Sequence, residues 1–76
     1  MSSVPTEIKL NAIAANLKAL HALLTVAATR TSEAHQLIQT GECGGAIGTV
    51  LGLDALLDDA EALYVATVAL HHSRAI

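Results

Sequence analysis

Leu10, Ile13, Leu17, Leu20, Leu24, Ala27, Thr31, Ala34 and Ile38 are separated by alternating steps of three and four. That spacing keeps one seam of an α-helix turned toward another helix. The same rhythm returns at Leu53, Leu56, Ala60, Leu63, Thr67 and Leu70. Within the span of the first seam the polar residues Asn11, Lys18 and Thr25 recur every seven and mark a wet stripe. The pattern predicts an all-α protein: a long N-terminal helix, a glycine-rich turn with a short helix, and a C-terminal helix. Folded back as a hairpin, these elements are expected to dimerise into a helical bundle.

Local signals set the boundaries. Pro5 suits a first helical turn, where its missing N–H costs nothing, and Glu7 complements the positive helix end. The first helix is expected from about residue 5 to 40, a length of about 54 Å. Thr29-Arg30-Thr31-Ser32 is its weak point, because β-branched residues and a potential Ser32 N-cap could break it there. The apolar rhythm nevertheless passes through Thr31 to Ala34 and Ile38 in phase, which favours a continuous helix. Gly41 fits the left-handed position that follows a helix. A short helical segment is predicted near 45–51, stopped by Gly52, with Gly44, Gly48 and Gly52 aligned as a smooth stripe. The last helix, about 54–73, is expected to be capped by Asp54. Asp58, Asp59 and Glu61 follow near its start, and His71, His72 and Arg74 lie at its end, the order that the helix dipole favours.

Composition narrows what such a protein can be. Residues 1–76 form a single helical domain, near the lower size limit for a self-sufficient core. The chain is 53% hydrophobic, yet Tyr64 is its one aromatic residue. Alanine and leucine favour helix and close backbone approach over a bulky core. Two or three small helices cannot cover that much apolar surface internally, so a homo-oligomer is expected, most simply a two-fold dimer. Its interface is predicted at Leu10, Ile13, Leu17, Leu20, Leu24, Leu56, Leu63, Tyr64 and Leu70.

A formal net charge of −3 with four lysines and arginines leaves no basic stripe for phosphates, so nucleic acid is not an expected partner. A membrane span is disfavoured because Asn11, Asn16, Lys18 and His21 interrupt the most apolar window. The N-terminal residues lack the basic and apolar regions of a signal peptide, and one cysteine excludes an intrachain disulfide. A cytoplasmic location is the expectation that follows.

Chemistry-bearing residues form no recognisable constellation. Every glutamate lacks a histidine three residues on, as the carboxylate-bridged metal bundles require, and His-Glu-x-x-His is absent. His35, His71, His72 and Glu61 are metal-ligand candidates only if several helices or subunits bring them together. Cys43, in a glycine-rich turn before a helix start, is a candidate reactive thiol. No nucleophile–base pair can be named, so no catalytic residue, cofactor or stand-alone enzyme activity is expected, although an accessory subunit of an enzyme remains compatible. The expected function is that of a small interaction or structural protein, self-associating or docking on a protein partner. The alternative is a metal- or small-ligand-binding bundle with a site formed across subunits.

Overall fold

A computed structural model describes residues 5–73. Among them the chain forms three α-helices and no strand: α1 (Thr6–Gln39), α2 (Cys43–Val50) and α3 (Leu53–His72). α1 runs unbroken through Thr31 and Ser32. The threonines that could have ended it turn their hydroxyls back onto the preceding turn instead: Thr25 donates to the His21 carbonyl, Thr29 to that of Thr25, and Thr31 to those of Ala27 and Ala28. Such back-bonding satisfies the hydroxyl without leaving the helix.

α1 stops at a glycine cap. Gly41 has a φ of 84°, the Gly41 N–H donates to the Ile38 carbonyl, and the Glu42 N–H donates to the Leu37 carbonyl at 2.9 Å. This pair of bonds is the Schellman arrangement, which closes the orphan carbonyls of a helix end and reverses the chain. α2 begins at Cys43, two residues ahead of the expected start. α3 begins at Leu53, so Asp54 stands inside its first turn and does not cap it. Its carboxylate accepts only from the neighbouring Ala55 N–H, at 2.9 Å. Arg74 lies outside the described residues.

After the turn the chain runs antiparallel to α1 in one constant alignment. Lys9 Nζ donates to the His71 and Ser73 carbonyls at 3.1 and 2.9 Å. A β-carbon built on Gly52 would lie 2.8 Å from Arg30 Nη1, and one on Gly45 would lie 3.6 Å from the Leu37 side chain. Residue n of α1 is therefore level with about residue 81 − n of the returning strand. The inward residues of that strand are Ala46, Thr49, Leu53, Leu56, Ala60, Leu63, Thr67 and Leu70. The three–four rhythm thus passes from α2 into α3 across the break at Leu51 and Gly52 without losing phase.

The result is a rod with extents of 61 × 15 × 12 Å. It is a single layer of two helical strands, and among the described residues only Ala34, Ala46 and Ala60 are buried. Each of the two strands touches one neighbour, α1 packing on α2 and α3 in turn, so each presents one seam to the interior and the rest to its surroundings.

Candidate functional site

On α1 the residues facing the returning strand are Lys9, Ile13, Asn16, Leu20, Leu23, Ala27, Arg30, Ala34 and Leu37. They too follow the three–four rhythm, but one of their two rows lies one residue before the expected one. Ile13, Leu20, Ala27 and Ala34 belong to both seams. Leu10, Leu17, Leu24, Thr31 and Ile38, expected to share the seam, stay exposed beside it. Two polar anchors explain the rotation. Lys9 reaches the last carbonyls of α3, where the negative helix end favours a cation, and Arg30 lies across the α2–α3 junction at Gly52. Both contacts require the face that carries residues 9, 16, 23, 30 and 37 to point inward.

This choice leaves a second apolar row on each strand. On the returning strand the residue after each alternate seam position falls at Cys43, Val50, Leu57, Tyr64 and His71. In an antiparallel pair the corresponding flanking rows of both helices lie on the same side. The alignment sets them level with one another: Leu10 with His71, Leu17 with Tyr64, Leu24 with Leu57, Thr31 with Val50, and Ile38 with Cys43. Leu10 is 59% exposed, Leu17 50%, Leu24 46%, Leu57 52% and Tyr64 59%. One long side of the rod thus carries Leu10, Leu17, Leu24, Ile38, Val50, Leu57 and Tyr64, interrupted by Thr31, Cys43 and His71. The opposite side carries mostly alanine and glycine, with Ile8, Val26, Glu33 and Asp59 among them.

The residues expected at an oligomer interface divide between these two environments. Ile13, Leu20, Leu56, Leu63 and Leu70 are half-buried within the chain's own hairpin. Leu10, Leu17, Leu24 and Tyr64 lie on the exposed face.

The ligand candidates are spread along the rod. Glu61 is level with about residue 20 of α1 and His71 with about residue 10, whereas His35 lies near the turn. At 1.5 Å per residue these levels are about 15 and 22 Å apart. Among the described residues no three metal-ligating side chains come together. The His71 and His72 rings are 5.3 Å apart and tilted by 58°. Cys43 is exposed at the first position of α2. Gly44 and Gly48, expected to form a stripe for close approach, have open space above them, and Gly45 is the glycine that meets α1. A shallow depression of about 520 Å³ runs along α1 between Leu24 and Glu33, lined by Thr25, Ala28, Thr29 and Ser32 as well. With lining from one helix alone, it has no opposing wall to enclose a ligand.

By length and composition α1 is also able to cross a membrane, and none of its most apolar window is buried. The class defined by these features is an all-helical antiparallel hairpin with an unpartnered apolar side. Comparison with protein-family models, with characterised proteins and with solved structures finds no match to the chain.

Proposed function

We propose that the protein is a small helical interaction module that works by self-association, or by docking a helical protein partner, through the Leu10–Leu17–Leu24–Leu57–Tyr64 face. The extent of that face along both strands carries the proposal. Apolar patches of this extent on a small chain mark interaction sites. Scale supports it as well. The chain exposes 5479 Å², whereas a compact 7.8 kDa monomer exposes about 4,400 Å².

Light scattering of the purified protein at micromolar concentration tests this directly. The expected result is a particle of at least twice the 7.8 kDa chain mass. Replacing Leu17 and Tyr64 together by glutamine should weaken association more than tenfold while circular dichroism still reports helix, because both side chains are exposed within the chain. A well-folded monomer that captures no protein partner would overturn the proposal.

A second reading rests on the apolar length of α1, which suits a membrane-associated helix. Flotation with phosphatidylcholine vesicles separates the two, since a protein–protein module stays in the unbound fraction. The alternative of a metal- or ligand-binding bundle has weaker support, because His35, Glu61 and His71 stand far apart along the rod.

A further inference from the structure

We infer that the occupant of the apolar face is a second copy of this chain, related by a two-fold axis along the rod, so that α1 of each copy lies on α3 of the other. This rests on the interaction reading above and specifies its partner and geometry. Two face-to-face arrangements satisfy two-fold symmetry. An axis along the rod puts α1 on the partner's α3, and an axis across the rod puts α1 on α1 and α3 on α3.

Charge decides between them. Among its described residues α3 has no lysine or arginine, and of its acids Asp54 and Glu61 border the apolar face, Asp58 stands at its outer edge and Asp59 lies on the opposite flank. With the axis across the rod, Glu61 of each copy falls near the middle of the interface and the two acidic edges oppose each other. Like charges set opposite one another at a dimer edge disfavour it. With the axis along the rod, each acidic edge meets α1. There Lys18 and His21 border the same face, and His21 is level with the position of Glu61. The apolar row matches itself in this arrangement, because levels are preserved: Leu17 meets the height of the second copy's Tyr64, and Leu24 that of its Leu57. Area is sufficient too. A face 61 Å long and 15 Å wide offers about 900 Å², against the ~800 Å² per partner of a standard stable interface. All four helical strands then have two neighbours each, in an antiparallel arrangement like that of a four-helix bundle.

Cys43, exposed and the single cysteine of the chain, serves as a reporter of the axis. It stands at the turn end of the rod. With the axis along the rod, both turn ends coincide, and spin labels on Cys43 of the wild-type protein should lie about 15–25 Å apart, the diagonal of a bundle with 8–10 Å helix spacing plus the label arms. With the axis across the rod the labels sit at opposite ends, about 50 Å apart. A long distance in a stable dimer overturns this arrangement while leaving the interaction reading intact. A monomer overturns this arrangement, and a monomer that captures no protein partner, or one that floats with phosphatidylcholine vesicles, overturns the interaction reading as well.

A charge exchange provides an independent readout. Lys18→Glu with His21→Glu should raise the dimer dissociation constant about tenfold, since both changes set a new carboxylate against the acidic edge of the second copy's α3. Adding Asp58→Lys and Glu61→Lys should restore it. These side chains are exposed within the chain, so helix content reports folding separately. A double variant that dimerises as tightly as wild type, or one that the second pair fails to rescue, overturns the arrangement.

Discussion

Two glycines at the ends of α2 show how differently one residue type acts in this chain. Gly41 holds a φ of 84° with nothing within 4 Å of where a β-carbon would stand, so substitution there is resisted by backbone conformation and not by crowding. Gly41→Ala should cost about 1 kcal/mol, the penalty for an L-residue in the left-handed region. Gly52 has ordinary helical angles, and its added β-carbon would meet only the tip of the flexible Arg30 side chain, at 2.8 Å. Gly52→Ala should therefore be neutral or stabilising, since alanine also lowers the entropy of the unfolded chain. Urea unfolding of both variants checks the pair. Equal losses at the two positions would show that the turn does not depend on the left-handed cap. Lys9 acts in the opposite sense to the glycines. Its ammonium closes two carbonyls at the far end of the hairpin, and so selects which row of α1 faces inward.

At the scale of elements, alanine sets the spacing of the helices. Ala34 and Ala46 are buried and level with each other, so α2 approaches α1 closely at that point. Ala46→Leu adds volume where no space exists and should cost 1–3 kcal/mol. Leu at position 47, where Ile47 is exposed, should change stability by less than about 0.5 kcal/mol. Equilibrium unfolding of the two variants measures the contrast, and equal effects would mean that α2 is not seated on α1. The seam of α3 was legible from spacing: Leu53, Leu56, Ala60, Leu63, Thr67 and Leu70 are the residues that turn inward. α1 offers two rows, and the more apolar one, Leu10 to Ile38, is the natural choice from local pattern. The structure turns the other inward, where Lys9 finds carbonyl partners 62 and 64 residues away along the chain and Arg30 lies beside Gly52. Spacing does not encode such pairings. The same limit applies to the candidate ligands, whose distances along the rod follow from an alignment that only the folded hairpin defines.

For the whole molecule the decisive fact is that one layer of helices has no interior. Stable helical domains bury a stripe of each helix against other layers, yet this rod has a radius of gyration of 17.5 Å against about 11 Å for a compact domain of this length. On the proposed interaction reading, stability depends on the partner that covers the Leu10–Tyr64 face. If that cover is a second copy, folding and association are one equilibrium, and the melting temperature depends on protein concentration. Each tenfold dilution removes about 1.4 kcal/mol per dimer, and with the unfolding entropy of two chains this size the midpoint should fall by about 4 °C. Thermal melts followed by circular dichroism from micromolar to hundreds of micromolar should therefore shift by about 8 °C over a hundredfold range. The Leu17, Tyr64 double glutamine variant should melt lower at every concentration and lose that dependence, because its face no longer associates. A wild-type midpoint that does not move with dilution, in a species that light scattering finds monomeric, would mean that the hairpin is stable by itself and that its apolar side serves another partner.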